Sequence, residues 1–253
     1  MLTNAEFVED LVIHATDGEL GTVNEFYFDD ESWGIRYLTV KTGSWLSGRE
    51  VLISPISVIG VDWPAKRLDV ALTKKQVENS PDIDTHQPVS RQHEADYSAY
   101  YGYNYYWGGP FLWGPVYRPM DLKSASSGAG KESADSHLRS SKEVTGYHIE
   151  AKDGEIGHLE GFVIDDEAWA LRYVEVATRN WLPGKKVLVS PAWIERVGWR
   201  ESKIYVGLFR EAIEKAPEYL MSEPLTREYE TRLYFHYGRP PYWTGEGDAG
   251  NHS

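Results

Sequence analysis

Residues 29–40, DDESWGIRYLTV, recur at residues 165–176 as DDEAWALRYVEV, an offset of 136 positions. The same offset aligns DGELG at residues 17–21 with DGEIG at residues 153–157. Further matches are VLISP at 51–55 with VLVSP at 187–191, and Tyr106-Trp107 with Tyr242-Trp243. A match of this length without a gap indicates that a whole domain and its tail were duplicated, unlike the short units of a solenoid.

The duplication divides the 253-residue chain into four segments. Residues 1–107 and 142–244 are predicted to be two copies of one domain, each ending in an aromatic tail. Residues 108–141 are rich in Gly, Pro and Ser and predict a linker, because most of this segment buries too little apolar surface to offset its ordering entropy. Its aromatic first part, residues 108–119, could instead cover a barrel surface. Residues 245–253 are predicted to be disordered.

Short β-forming runs alternate with turn signals in each copy. Asp17-Gly18 favours a type I′ hairpin, in which both central residues need positive φ. Residues 34–40 alternate with the period of two that is typical of a half-buried strand. About five or six such strands in each copy favour a small barrel, since closure removes exposed strand edges. The fold is therefore predicted to be mainly β, with two small β-barrels.

Two short helices are predicted after the strands of each copy. Thr73 and Gln76 have the spacing of a capping box, whereas the second copy has Phe209 at the position of Thr73. Ser90 and Thr226 are predicted to cap the second helix of each copy, because their hydroxyl groups can accept hydrogen bonds from the first turn.

The combined string DGExG…FxxDDExWxxRYxxV…WLxG[RK]xVL[IV]SP resembles the PRC-barrel domain. This domain occurs in the cytoplasmic part of the photosynthetic reaction-centre H subunit and in the C-terminal domain of the ribosome maturation factor RimM. The resemblance spans residues 3–75 and 140–211, and is greatest to stand-alone tandem PRC-barrel proteins. It implies a PRC-type barrel in each copy. We expect no N-terminal membrane helix of the kind that an H subunit has, and both halves of the chain resemble the PRC-barrel, unlike those of RimM.

Composition restricts the classes of function. The chain has 26 Lys and Arg against 39 Asp and Glu, a net charge of −13, and such a surface disfavours nucleic acid as a partner. It has no Cys, which excludes disulfides, Cys-bound zinc and thiol catalysis. No apolar run has the length of a transmembrane segment. We expect a cytoplasmic protein.

The sequence predicts neither a catalytic nor a cofactor site, since no nucleotide-binding or nucleophile motif is found. The strongest metal candidates are Asp29, Asp30, Asp165 and Asp166, because hard cations prefer several carboxylate oxygens. Consecutive acids do not readily converge on one ion, so we predict surface turns and no metal. Arg36, beside the first turn, would need a carboxylate partner if buried, and that turn could supply it.

The aromatic tails are the predicted interaction surface, because Tyr and Trp are enriched where one side of a ring is dry and the other wet. Each tail could cover its own barrel, or it could dock on the other copy or on another chain and form a homodimer. The residues predicted to carry this surface are Tyr101, Tyr106, Trp107, Tyr237, Tyr242 and Trp243.

A non-enzymatic protein-interaction or scaffold module, like the cytoplasmic domain of the H subunit, is the leading functional hypothesis. Its protein partner is not identified by the sequence. Two alternatives stay open: a RimM-like factor in ribosome or RNA maturation, and a barrel that binds a small ligand or a metal.

Overall fold

The computed structural model describes residues 1–81, 89–125, 137–178 and 185–246. These residues form two compact units. Unit 1 comprises Met1, Thr3–Val144 and Ile164–Leu171. Unit 2 comprises Leu2, Thr145–Val163 and the described residues from Arg172 onward. Unit 1 therefore includes two segments of the second copy of the repeat, at residues 138–144 and 164–171.

Strands and helices follow the order of the repeat. The first half of the chain contains β1 Leu2–Asn4, α1 Glu6–Glu9, β2 Val12–Ala15, β3 Gly18–Asp29, β4 Ile35–Lys41, β5 Glu50–Ile53, β6 Val58–Asp62, β7 Arg67–Val70, α2 Lys74–Glu78 and α3 Arg91–Tyr101. The second half contains β8 Leu138–Ser140, α4 Ser141–Val144, β9 His148–Ala151, β10 Gly154–Asp165, β11 Ala170–Ala177, β12 Lys186–Val189, β13 Ile194–Gly198, β14 Lys203–Val206, α5 Arg210–Glu214, α6 Arg227–Tyr237 and α7 Trp243–Glu246.

The two units contain sheets of the same topology. The strand order is β5-β4-β3-β2-β7-β6 in unit 1 and β12-β11-β10-β9-β14-β13 in unit 2. β2 pairs with β7 in parallel, as β9 does with β14. In unit 1, β8 adds an antiparallel pairing to β3, with Ser140 opposite Tyr27. The equivalent strand orders confirm the prediction of a mainly β fold with two duplicated barrel-like domains.

The hairpin between β2 and β3 differs from the predicted type I′ turn. Ala15 pairs with Gly18, so the two central residues are Thr16 and Asp17, and only Gly18 has a positive φ. The type I′ prediction is wrong because this register makes Thr16 and Asp17 the central pair, and neither has the positive φ that a type I′ turn needs. The Oδ1 of Asp17 accepts a hydrogen bond of 2.8 Å from the backbone N–H of Lys74, at the start of α2.

Strand β4 is buried on both faces, whereas the period-two pattern predicted a half-buried strand. Residues 35–40 are all buried. The outer face is covered because α3 packs over it, with the Tyr97 ring edge-on to the Tyr37 ring at 5.1 Å between centroids. The outer face of β4 is therefore shielded from water where the hydrogen-bonding side chains of α3 and the tail lie over it.

The predicted helix caps are confirmed. Thr73 and Gln76 form a capping box, with Gln76 Oε1 accepting from the Thr73 N–H at 2.8 Å. Ser90 and Thr226 accept from the third residue of α3 and α6, and Phe209 makes no side-chain cap at α5. Among the described helices, none is long and apolar enough to cross a membrane.

Part of the predicted linker is packed into unit 1. Trp113 is fully buried, and its Nε1 donates to the carbonyl oxygen of Ala168 at 2.7 Å. Pro119–Lys123 forms a 3-10 helix. Residues 126–136 of the linker and 247–253 of the C-terminal segment lie outside the described residues. The aromatic first part of the segment thus covers its barrel, which was the alternative raised by the sequence.

Gly21 should tolerate no side chain. It has φ of 146°, and a Cβ there would lie 2.0 Å from the carbonyl oxygen of Lys41; Gly157, at the same position of the second copy, has a Cβ site 2.0 Å from the Ala177 carbonyl oxygen. We expect Gly21→Ala to lower the free energy of unfolding by about 2–4 kcal/mol, measured by urea unfolding with tryptophan fluorescence.

Gly60→Ala is the matched control, because Gly60 has ordinary φ and nothing lies within 4 Å of its Cβ site. It should change the free energy of unfolding by less than about 0.5 kcal/mol. Equal losses in the two variants would contradict the proposed clash at Gly21.

Candidate functional site

Each copy of the repeat contains a buried carboxylate bound by residues of a strand, a helix and the aromatic tail. We call this group of side chains the tail network. In unit 1 it comprises Arg36, Tyr37, Arg91, Glu94, Tyr106 and Trp107. In unit 2 it comprises Arg172, Tyr173, Arg227, Glu230, Tyr242 and Trp243.

Glu94 is the centre of the network in unit 1, where its side chain is fully buried. Its Oε2 accepts from the hydroxyl groups of Tyr106 and, at 3.4 Å, of Tyr37. Its Oε1 lies 3.1 Å from Nη1 of Arg91. Arg91 and Glu94 share one face of α3 because they are three residues apart on a helix whose start is fixed by the Ser90 cap. The carboxylate thereby joins helix, strand and tail.

Arg36 lies between two aromatic rings. Its guanidinium carbon is 3.9 Å from the Tyr106 ring centroid and 4.7 Å from that of Trp113. Its Nη2 donates to Ser32 Oγ at 2.8 Å and lies 3.7 Å from Oδ2 of Asp29. Only 2% of Arg36 is exposed. The sequence-based expectation that the acidic turn of its own copy partners a buried Arg36 is confirmed.

Unit 2 repeats the arrangement around Glu230. Its Oε1 accepts from the hydroxyl of Tyr173 at 2.7 Å and from that of Tyr242 at 3.1 Å, and its Oε2 lies 3.0 Å from Nη1 of Arg227. The guanidinium carbon of Arg172 is 4.2 Å from the Tyr242 ring centroid. In both networks, therefore, a buried glutamate accepts from two tyrosine hydroxyl groups and pairs with an arginine at equivalent positions of the repeat.

The networks differ in their exposure to water. The side chain of Arg91 is 9% exposed, whereas that of Arg227 is 53% exposed. In unit 1 the segment containing Trp113 closes over the network. The sequence equivalent of Trp113 is Ala249, which lies outside the described residues. The first network is therefore shielded from solvent, and the second is open at its arginine.

Burial shifts the pKa values of the network. Desolvation raises the pKa of Glu94 to about 7, an effect that Arg91 and the hydrogen bond from Tyr106 partly oppose. Desolvation also raises the pKa values of the Tyr37 and Tyr106 hydroxyls well above their usual range, with a further contribution from Glu94. Both phenols are therefore protonated and able to donate at neutral pH, whereas Glu94 titrates near it.

The first residue of each acidic turn binds backbone rather than facing outward. Asp29 Oδ1 accepts from the N–H groups of Glu31 at 3.0 Å and Ser32 at 2.9 Å. Asp165 Oδ1 accepts from those of Glu167 at 3.1 Å and Ala168 at 3.3 Å. These hydrogen bonds from backbone N–H groups to the first Asp stabilise both turns.

The second residue of each turn forms longer-range contacts in unit 1. Asp30 Oδ2 accepts from Nε of Arg139 at 2.8 Å, and Asp166 Oδ2 accepts from Nε1 of Trp63 at 3.0 Å. Asp166 Oδ1 binds the amino group of Met1. Over the described ranges, no three His, Asp or Glu side chains are grouped in a way that could hold a metal ion.

The residues predicted to form an interaction surface lie on their own units. Tyr106 and Tyr237 are buried, and Tyr101 is half-buried against Tyr97. Trp107, Tyr242 and Trp243 are also half-buried. Trp107 packs against Arg91, Trp243 packs against Arg227, and the hydroxyl of Tyr242 donates to Glu230. Each tail thus covers its own unit, and docking on another chain stays a prediction.

Sequence reasoning missed the central carboxylates of the two networks. The repeat did align Arg91 and Glu94 with Arg227 and Glu230, at a helical spacing of three. That duplicated Arg–Glu pair was the sequence feature that could have indicated the central carboxylates. It did not reveal that the tyrosines of the strand and the tail meet at the same oxygen atoms.

Residues 2–77 match the family model of the PRC-barrel domain. No curated protein matches the chain significantly. The matched residues run from β1 through α2, and the internal repeat relates them to residues 138–213.

Glu94→Gln should reduce the dependence of stability on pH. Between the usual pKa of 4.5 and the raised value of about 7, the folded chain holds a proton on Glu94 that the unfolded chain has released. The free energy of unfolding therefore falls as pH rises through this window, by an amount on the order of 2 kcal/mol from this residue. Urea unfolding of wild type and variant at about pH 5 and about pH 7.5 measures the difference.

Glu230→Gln is the matched control at the same position of the second copy. The contribution of Glu94 should persist in this variant, since its own network is intact. If Glu94→Gln keeps the full wild-type dependence on pH, Glu94 is not the titrating group.

Proposed function

Residues 2–77 match the PRC-barrel domain, and from this premise we propose that the chain is a non-enzymatic protein-interaction or scaffold module. The resemblance to the cytoplasmic domain of the reaction-centre H subunit supports a role of this class. In the proposal the barrels act as rigid supports, and a surface of unit 2 binds the partner in the cytoplasm.

The proposal rests on Phe235, which lies on α6 and is 88% exposed. The equivalent residue of the first copy is Ala99. The equivalent helix α3 forms with only a methyl group at this position, so the fold does not need the aromatic ring. Removing an exposed phenylalanine side chain from water contributes roughly 2 kcal/mol to an interface.

Further exposed apolar side chains belong to the same unit. Phe209 precedes α5, and Leu220 and Met221 lie between α5 and α6. Their sequence equivalents in the first copy are the polar residues Thr73, Asp84 and Thr85. α6 lies against α5, since Nε2 of His236 donates to the Ala212 carbonyl oxygen at 2.7 Å. The second copy thus exposes apolar side chains at positions where the sequence of the first copy has polar residues, which supports a binding role.

Phe235→Ala tests the proposal, because it introduces the residue of the first copy without altering the network around Glu230. We expect the protein partner retained from a lysate of the native host to fall by roughly tenfold, measured by quantitative mass spectrometry of the bound fraction. Light scattering of the purified chain distinguishes a second copy of itself from another protein.

Phe7→Glu is the matched control. Phe7 is 44% exposed on α1 of unit 1, and its equivalent in the second copy is Glu143. Partner capture should survive this change. Capture that is lost equally in both variants, or that is unchanged in Phe235→Ala, would contradict the assignment to unit 2.

A further inference from the structure

Two arginines flank Phe235 on the surface of unit 2. Arg232 lies three residues before it on α6, so the two side chains are neighbours on one face of the helix. Arg239 follows the Gly238 cap, and its N–H donates to the Tyr234 carbonyl oxygen at 3.1 Å, which fixes it at the end of the same helix. All three residues are exposed. We call Arg232, Phe235 and Arg239 the α6 patch.

The positive charges of the α6 patch are not compensated within the described part of the chain. The guanidinium carbon of Arg232 lies 5.8 Å from the Tyr229 ring centroid, and Nη2 of Arg239 donates to the Gly207 carbonyl oxygen at 2.9 Å. Among the described residues, neither guanidinium group is paired with a carboxylate. The patch therefore presents positive charge to solvent on a chain whose net charge is −13.

The acidic residue one helical turn before Arg232 is held at the start of α6. Hydrogen bonds from its own backbone N–H and from the Thr226 hydroxyl lower the pKa of the Glu228 carboxyl group. The helix dipole also favours a carboxylate at this end of the helix. Glu228 therefore binds the helix start and leaves Arg232 without a partner.

The first copy has a different character at the positions of the α6 patch. The equivalent residues, in chain order, are Asp96, Ala99 and Tyr103. Asp96 accepts from Nε2 of Gln92 at 2.9 Å, and the Tyr103 ring stacks on the Tyr101 ring at 5.5 Å between centroids. Because α3 forms with these residues, the fold requires neither the two arginines nor the phenylalanine.

The composition of the α6 patch favours a protein as the partner. Aromatic residues and arginine are both enriched in protein interfaces, and charges at an interface select a partner of opposite charge. An anionic membrane is disfavoured, because each basic residue attracts it only weakly and the chain as a whole is acidic. A protein can instead place single carboxylates at the two arginines while its apolar residues cover Phe235.

We propose that the partner of the α6 patch is a protein segment that presents apolar side chains to Phe235 and carboxylates to Arg232 and Arg239. This inference rests on the proposed function, because it specifies the partner of the same surface. The guanidinium groups form charge-assisted hydrogen bonds with the carboxylates, and the phenylalanine ring is removed from water. Added salt weakens the complex, since it screens exposed charges.

Fluorescence anisotropy of a fluorescein-labelled amphipathic peptide built from Leu and Glu tests the proposal, with the same peptide carrying Gln in place of Glu for comparison. We expect the full chain to bind the glutamate peptide saturably and at least about fivefold more tightly than the glutamine peptide. Arg232→Asp introduces the residue of the first copy and should weaken binding of the glutamate peptide at least about fivefold. Arg239→Tyr should also weaken it, and decides the test if thermal unfolding shows that Arg232→Asp fails to fold.

Lys75→Glu is the matched control, because it changes the net charge by the same amount at an exposed position of unit 1 and introduces the residue of the second copy, Glu211. Binding of the glutamate peptide should be unchanged in this variant. Equal weakening by Arg232→Asp and Lys75→Glu would overturn the proposal, as would equal binding of the two peptides.

Two further outcomes separate this inference from the proposed function. If Phe235→Ala weakens binding of the glutamate peptide and Arg232→Asp does not, the acidic partner is wrong and the apolar surface of unit 2 remains supported. Co-sedimentation with vesicles of phosphatidylcholine and phosphatidylserine in equal parts tests a membrane partner. Vesicle binding that depends on Arg232, in the absence of binding to the glutamate peptide, would overturn the assignment to a protein.

Discussion

The arrangement of each unit depends on the burial of one carboxylate under an aromatic tail. Glu94 and Glu230 are both removed from water, and a buried carboxylate is strongly destabilising unless it is paired and hydrogen-bonded. The two tyrosine hydroxyls and the arginine that satisfy it come from three separate elements. Those elements must assemble together, which fixes the helix and the tail on the barrel.

The two copies use this shared interaction in different surroundings. In unit 1, Trp113 and its neighbours cover the network, leaving a closed aromatic surface with an adjoining cavity. In unit 2, Arg227 is open to water and Phe235 projects from α6. A duplicated core that is kept intact allows the surfaces of the copies to diverge, because substitutions outside the network do not disturb it.

The sequence predicted correctly those features that depend on the internal repeat or on contacts between residues close in the chain. The 136-residue offset predicted the duplicated fold, and the caps at Thr73, Ser90 and Thr226 follow from contacts within one turn. The turn at Asp17 was wrongly predicted because Ala15 pairs with Gly18, which places Gly18 outside the central pair. The carboxylate of Asp17 binds Lys74, 57 residues away. Tyr37 and Glu94 are equally distant in sequence, so no periodicity links them. The burial of both faces of β4 also depends on a distant helix.

Strand β8 shows that the unit of duplication differs from the unit of folding. It occupies the position of β1 in the second copy, and yet it pairs with β3 of unit 1, where Ser141 also accepts from the N–H of Phe26. A chain that contained only the first copy would lack this strand, and residues 27–29 of β3 would lose their antiparallel partner. Two copies in one chain therefore protect a strand edge that a single copy leaves open to pairing with other chains.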